Sequence, residues 1–134
     1  TPTLGWNSWY ALGKAKGWPN TTGATINETA DWLVSTGLAA AGYRTLVVDD
    51  SWEATTRTGP GGGLEANPKK FPEGMGAVAE HVRKAGLTLG LYTTPGNYTC
   101  SGQDGGGERG SYGHVKADID LWVGDWGAGY IKNC

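Results

Sequence analysis

Short apolar segments alternate with helix-forming segments along the whole chain. Segment 43–48 contains the uninterrupted aliphatic run Leu46-Val47-Val48, which is typical of a strand covered on both faces in a parallel sheet. The alternation βαβαβαβ therefore predicts an α/β fold in which helices connect parallel strands. The predicted strands are 5–9, 43–48, 87–92 and 130–132, and the predicted helices are one beginning at residue 25, then 73–85 and 115–126.

The first predicted helix carries its own start signal. Thr25 and Glu28 have the spacing of a capping box, in which each side chain bonds the backbone at the other end of the first turn. Gly86 is the predicted stop of the second helix. The apolar positions of the first helix recur at the spacing of one face, at Ile26, Ala30 and Leu33.

Composition narrows the class of protein. The chain has 134 residues, enough for one domain, and its net charge of -2 comes from mixed acidic and basic residues. We therefore expect no nucleic acid partner, and the apolar runs are too short for a membrane span. Among the seven tryptophans we expect Trp32 and Trp122 to lie in the core, and Asp118, Asp120 and Asp125 to form a solvated helix face.

No motif in the sequence predicts a metal or a cofactor. The histidines, His81 and His114, are not accompanied by other residues at metal-ligand spacing. No glycine motif for nucleotides opens a predicted helix, and no Gly-x-Ser-x-Gly elbow is present. The glycine-rich loops 14–23, 53–72 and 93–113 follow predicted strands, which is where α/β proteins place their ligands.

Two adjacent carboxylates end the second predicted strand. The text is Asp49-Asp50-Ser51-Trp52, and carboxylates at such a strand end bind hydroxyl groups through charge-assisted hydrogen bonds. An indole such as that of Trp52 packs on the C–H face of a sugar. A carbohydrate site is one interpretation, and a turn that caps a helix is the alternative.

The cysteines and sequons point to an oxidising compartment. Cys100 and Cys134 are the two cysteines, which suggests one disulfide. The Asn-x-Thr sequons at Asn20, Asn27 and Asn97 together with this pair favour a secreted, extracellular protein, with their glycosylation left open. The chain begins at Thr1 without a signal peptide, so we expect a processed product or a fragment.

A series of motifs, in order and covering nearly the whole chain, resembles glycoside hydrolase family 27, the α-galactosidase-like enzymes. The resemblance implies a (β/α)8 TIM barrel, with residues 1–134 as the N-terminal half of the catalytic barrel and about its first four βα units. The motifs are Gly5-Trp6-Asn7-Ser8-Trp9, Asp49-Asp50-Ser51-Trp52, Phe71-Pro72-x-Gly74-Met75, Lys84-Ala85-Gly86-Leu87, Thr99-Cys100 and Tyr130-x-Lys132.

The resemblance also implies an activity and a site. A retaining, exo-acting α-galactosidase hydrolyses terminal α-galactosides of small or oligosaccharide substrates, without a cofactor. By resemblance, Cys100 pairs with Cys134. Also by resemblance, Lys132 holds a hydroxyl beside the reacting carbon, and the substrate-binding residues are Trp9, Asp49, Asp50, Tyr92 and Lys132.

Three departures from the family pattern leave alternatives open. The fourth strand reads Lys132-Asn133-Cys134, where the family has Lys-x-Asp-x-Cys with the nucleophilic Asp, so no catalytic residue is identified. Ser51 stands where the family often has a disulfide cysteine, and the text Thr93-Thr94-Pro95 differs from common α-galactosidases. The alternatives are isomaltodextranase, α-N-acetylgalactosaminidase, β-L-arabinopyranosidase, or a non-catalytic carbohydrate-binding relative.

The predicted half-barrel leaves two strand edges and one sheet face open. Parallel strands are stable only when both faces and edges are covered, so we expect the chain to need the rest of the barrel or a second chain. The concave face would be bare and would carry Trp9, Tyr92 and Lys132.

Overall fold

A four-stranded parallel sheet with helices on one side forms the frame of the molecule. The computed structural model describes residues 2–13, 18–101 and 107–134, so the predicted loops 14–23 and 93–113 lie partly outside the described residues. The strands are ordered β1-β2-β3-β4 and pair in parallel, which confirms the predicted sheet. They are β1 (Gly5–Asn7), β2 (Thr45–Val48), β3 (Thr88–Thr93) and β4 (Tyr130–Asn133).

Helices connect successive strands, as the alternation predicted. A short helix, α1 (Ser8–Ala11), follows β1 where a longer strand was predicted. The connecting helices are α2 (Gly23–Ser35), α3 (Gly74–Lys84) and α4 (Val115–Ile119), the last continuing as a π-helix over Asp120–Asp125.

The start of α2 differs from its predicted start. Thr22 is the N-cap, and its side chain bonds Thr25 while the Thr25 side chain bonds the Thr22 backbone. The capping box is therefore Thr22 with Thr25, and the predicted box of Thr25 with Glu28 is wrong. The reason is that a threonine hydroxyl at the third helical position closes the box as well as a carboxylate does.

The core lies between the sheet and the helices. Alternate residues of β2 and β3 point toward α2 and α3, because successive strand residues face opposite sides of a sheet. The predicted face of α2 is confirmed as buried, and Val78 and Val82 of α3 pack in the same cluster. The strand residues of this core are Leu46, Val48, Leu89 and Leu91.

Two predictions about burial are wrong. Trp122 is buried as expected, but Trp32 is 51% exposed on the outer side of α2. Asp118 is fully buried rather than solvated, and its carboxylate accepts hydrogen bonds from Arg57 at 2.6 Å and from the Leu64 N–H at 3.0 Å. A buried carboxylate is tolerated because these donors replace water.

The opposite face of the sheet is only partly open. Gly90 of β3 lies between Val47 and Tyr130, and a Cβ there would come within 3.0 Å of both side chains. Tyr92 is only 2% exposed, so the prediction that it lies on a bare face is wrong. Its hydroxyl donates to Cys100 Sγ, and Lys132 Nζ lies over its ring.

The 134-residue chain prepared alone should self-associate. Val115, Ile119 and Val123 form an exposed apolar row along α4 and the π-helix that continues it, and β1 and β4 are the outer strands of the described sheet. Because such surfaces drive association, light scattering should detect oligomers or aggregates. We also expect this preparation to have no glycosidase activity.

A charge on the apolar row provides the matched test. Val123→Lys should reduce association, whereas Val34→Lys, at a similarly exposed valine on α2, should not. A monodisperse wild-type monomer with a cooperative calorimetric melt would contradict the prediction.

Candidate functional site

The carboxyl ends of the strands bring charged side chains from distant positions to one edge of the sheet. Asp49 follows β2 and is buried, and its Oδ2 accepts hydrogen bonds from Asn7 Nδ2 at 2.5 Å and from Lys132 Nζ at 2.7 Å. Its Oδ1 accepts from the Asp50 N–H at 2.9 Å. The carboxylate thus joins β1, β2 and β4.

Lys132 is the accessible charge of this group. Its side chain is one-third exposed, and Nζ lies 5.2 Å from the centre of the Tyr92 ring. Burial lowers the pKa of Lys132, but the hydrogen bond and charge of Asp49 outweigh burial, so the pKa is raised. The ammonium therefore stays charged and keeps donor capacity for a further acceptor.

Asp50 connects the loops that follow β2 and β3. Its Oδ1 accepts from the Ser51 N–H at 2.6 Å and from Ser101 Oγ at 2.5 Å, and its Oδ2 accepts from the Ser101 N–H at 2.7 Å. A ligand hydroxyl at Asp50 must share the carboxylate with Ser101 or displace its hydroxyl. Sequence reasoning missed Ser101, for which position directly after Cys100 is the available signal.

Trp9 lies on α1, beside the carboxylate edge. Its backbone N–H donates to Asn7 Oδ1 at 2.8 Å, and the Asn7 side-chain amide in turn donates to Asp49. The Trp9 ring stacks on Trp18, with centroids 4.5 Å apart and planes 24° from parallel. Asn7 and Trp18 were not among the predicted site residues, although Asn7 lies within the first motif.

Tyr92 is a buried phenol behind the carboxylates. Its hydroxyl donates to Cys100 Sγ at 3.8 Å. Burial raises the pKa of Tyr92 far above its ordinary value, and the Cys100 hydrogen bond and the charge of Asp50 add to the rise. The phenol is therefore neutral and acts as a donor and as a wall.

Trp52 does not contribute a sugar-stacking face. It is fully buried, its Nε1 donates to the Tyr92 carbonyl at 3.0 Å, and its ring packs edge-on against Trp122 at 5.4 Å. The prediction for Trp52 is wrong because the backbone after Asp50 turns its side chain toward the helices. Its role is to support β3 from within the core.

The two cysteines are free in this structure and exposed. Cys100 lies against the Tyr92 hydroxyl, and the Cys134 N–H donates to the Thr93 carbonyl at 3.2 Å. Both therefore lie near the end of β3. The predicted bond between Cys100 and Cys134 stays a prediction.

Glu53 and Lys70 form a second charged cluster around Ser51, the residue after Asp50. Glu53 is 1% exposed, and its Oε2 accepts from the Ser51 N–H at 2.9 Å. Burial, followed by the charge of Asp50, raises the pKa of Glu53 well above its usual range. Lys70 Nζ donates to the Ser51 carbonyl at 2.8 Å, and burial followed by the Arg109 charge lowers the pKa of Lys70.

Glu53 and Lys70 were not predicted as site residues. Glu53 comes directly after the Asp49–Trp52 motif, which is the one signal for it in the sequence. Lys70 is 19 residues from its partner Ser51, and no pattern links the two positions.

Metal and membrane features have no support in the described residues. Within 2–13, 18–101 and 107–134, no group of three or more His, Cys, Asp or Glu side chains has the arrangement of a metal site. His81 bonds Asp31 across α2 and α3 at 2.8 Å. In those same ranges, no helix combines the length and the apolar character needed to cross a membrane.

The site combines hydrogen-bond acceptors, a donor and an aromatic surface at the carboxyl ends of the strands. Carboxylates at Asp49 and Asp50 accept hydrogen bonds, Lys132 donates, and an indole pair lies beside them. Asn133 lies at the end of β4, paired with Thr93, at the place where the family pattern differs.

Comparisons with known proteins agree with this geometry. The family model described as "Alpha galactosidase A" matches residues 1–134. The alpha-galactosidase of Cyamopsis tetragonoloba is 40% identical over 136 residues, covering 100% of this chain and 30% of that protein. Alpha-galactosidase A of Cellvibrio japonicus is 39% identical, covering 98% of this chain and 30% of that protein.

Solved structures give the same result. Alpha-galactosidase I from Mortierella vinacea has a TM-score of 0.85 at 32% identity, covering 99% of this chain and 30% of that one. An alpha-galactosidase from Saccharomyces cerevisiae, solved with raffinose, has a TM-score of 0.84 at 30% identity, covering 100% of this chain and 27% of that one. The chain thus spans about 30% of the length of these relatives. The structural matches confirm the expected barrel type.

The raised pKa of Glu53 predicts a pH-dependent stability. Because the native state favours protonated Glu53, its stabilising effect is complete below the ordinary value of 4.5 and is lost as pH rises through the native pKa. Glu53→Gln is neutral at every pH. Its stability relative to wild type should therefore rise with pH above about 4.5.

Thermal unfolding of the intact protein from pH 4 to pH 8 measures this divergence. The charged groups around Glu53 are Asp50, Lys70 and Arg109, and both proteins carry all three. Glu28→Gln, at an exposed glutamate of α2, is the control and should parallel wild type. Parallel curves for Glu53→Gln and wild type would refute the prediction.

Proposed function

Because the chain belongs to the alpha galactosidase A family along its whole length, we propose that it is the N-terminal part of the catalytic barrel of an α-galactosidase. In the intact protein it takes part in retaining hydrolysis of terminal α-galactosides. The chain spans about 30% of the length of these relatives, and we assign the residues of its site to the binding of the sugar.

The observation that carries the proposal is the convergence of Asp49, Asp50 and Lys132 at the carboxyl edge of the sheet. These three residues lie in the motifs that resemble the family, and the Asp49–Lys132 contact of 2.7 Å joins positions 83 residues apart. In barrels with this topology, substrates bind at this edge.

Each side chain has a role that its chemistry fits. Asp49 and Asp50 accept hydrogen bonds from galactose hydroxyls, and Lys132 donates to a hydroxyl beside the reacting carbon. Trp9 forms the apolar wall, and Tyr92 supports Lys132 from behind. Retaining hydrolysis needs two carboxyl groups about 5–5.5 Å apart, and we assign neither role to Asp49 or Asp50 because both are bound by protein donors.

Raffinose is a suitable substrate class for the test. The Saccharomyces cerevisiae enzyme was solved with raffinose, a sugar that ends in an α-galactosyl unit. The α-N-acetylgalactosaminidase and β-L-arabinopyranosidase neighbours are 18% identical, so they support the shared fold alone. Release of galactose from raffinose by the intact protein separates galactosidase activity from these specificities.

The predicted disulfide and secretion belong to the same proposal. We propose that Cys100 and Cys134 are joined in the mature protein, a bond supported by the position of both residues near the end of β3. Secretion is supported further by the exposed sequons at Asn20 and Asn97.

Replacement of either cysteine should destabilise the protein by the same amount. Closure of a loop of this length stabilises a native state by about 3–4 kcal/mol on the chain-entropy model. Cys100→Ser, Cys134→Ser and the double variant should therefore unfold at equally lowered denaturant concentrations, and non-reducing peptide mapping of wild type should recover the linked peptides. Additive losses, or two free thiols in secreted wild type, would contradict the bond.

Asp50→Ala should lower the turnover of an aryl α-galactoside by the intact protein by orders of magnitude. The variant removes a buried acceptor whose bond to the substrate is realised in the transition state. Asp125→Ala, at the exposed aspartate that ends the π-helix after α4, is the control and should leave turnover unchanged. Unchanged hydrolysis in Asp50→Ala would exclude the assignment, and sugar binding without hydrolysis by wild type would favour a carbohydrate-binding relative.

A further inference from the structure

Ser51, the residue that follows Asp50, has an unusual backbone conformation. Its φ is +83°, in the left-handed region that residues with a side chain rarely adopt. The left-handed conformation is strained for a residue other than glycine, because its Cβ comes too close to the following carbonyl oxygen. It therefore persists only where surrounding contacts hold it, and such positions cluster at functional sites.

Two side chains hold Ser51 from opposite sides of its peptide units. Glu53 Oε2 accepts from the Ser51 N–H at 2.9 Å. Lys70 Nζ donates to the Ser51 carbonyl at 2.8 Å and to its hydroxyl at 2.5 Å. Glu53 is buried and Lys70 half-buried, so water does not replace these bonds easily.

The same N–H of Ser51 also donates to Asp50. Asp50 Oδ1 accepts it at 2.6 Å, so the rotation of the Ser51 peptide unit sets the direction of the Asp50 carboxylate. If that peptide unit turned, Asp50 would lose this donor and its alignment with Ser101.

We propose that Glu53 and Lys70 are positioning residues for Asp50, which act by locking Ser51 in its left-handed conformation. We call Glu53, Ser51 and Lys70 the Ser51 latch. The inference rests on the proposed function, in which Asp50 binds a galactose hydroxyl. Misplacement of a binding group by about 1 Å lowers rates by up to about 100-fold, so the latch has a measurable effect on Asp50.

Competitive inhibition of the intact protein by galactose tests the latch. The inhibition constant does not depend on the fraction of enzyme that is active. A variant that merely unfolds part of the protein therefore lowers the apparent kcat and leaves the inhibition constant unchanged. Lys70→Met and Glu53→Leu should each raise the inhibition constant and KM by about 10-fold or more. Lys69→Met, at the exposed neighbouring lysine, is the matched control and should match wild type.

Two further variants separate positioning from packing. Glu53→Gln keeps a side-chain oxygen for the Ser51 N–H and should recover most of the affinity lost in Glu53→Leu. A glycine at position 51 adopts a positive φ without strain. Galactose should therefore inhibit the double variant Ser51→Gly with Lys70→Met at a lower inhibition constant than it does Lys70→Met alone. This pair keeps the test open if Glu53→Leu does not fold.

The outcomes distinguish the two proposals. If wild type hydrolyses α-galactosides but Lys70→Met and its Ser51→Gly double variant have wild-type inhibition constants, the latch is refuted and the proposed function stands. If wild type neither hydrolyses α-galactosides nor is inhibited by galactose, the proposed function fails and the latch falls with it.

Discussion

The ion pair between Asp49 and Lys132 constrains how the carboxyl ends of the strands are arranged. A buried carboxylate is tolerated only where donors replace the water that it has lost, and Asp49 receives donors from Asn7 on one side and Lys132 on the other. Those residues come from β1 and β4, with β3 between β2 and β4. A slip of one residue in β1, β2 or β4 would turn one of these side chains to the helical face, so the pair and the register require each other.

A buried ion pair joins the loop after β2 to α4. Arg57, in the loop after β2, donates to Asp118 of α4 and to the Gly110 carbonyl at 2.5 Å. Ser111 Oγ donates to the same carboxylate at 2.8 Å. Because Asp118 is buried, removal of Arg57 would leave an uncompensated charge, which is far more unfavourable than loss of a surface pair. These polar contacts thus join the loop after β2 to α4 and to residues 110 and 111 of the loop after β3.

The parts predicted from the sequence are those governed by local pattern. Aliphatic runs and helical spacing predicted the order of strands and helices, and Asp49 and Asp50 became site candidates because they directly follow such a run. The parts that failed depend on distant partners: Asp118 is buried by Arg57, 61 residues away, and Trp32 is exposed because the sheet covers the opposite face of α2. Periodicity predicts a buried face but cannot identify a donor from another loop.

The difference between Asp49 and Asp50 follows from their partners. Asp49 is held by residues of the strands themselves, so its position is as rigid as the sheet. Asp50 is held by Ser101 and, through Ser51, by Glu53 and Lys70, all from loops. In the proposed sugar site, the sheet therefore sets the position of Asp49, while loop residues, through the Ser51 latch and Ser101, set the position of Asp50. Changes in the loop residues would alter specificity through Asp50 without disturbing the sheet.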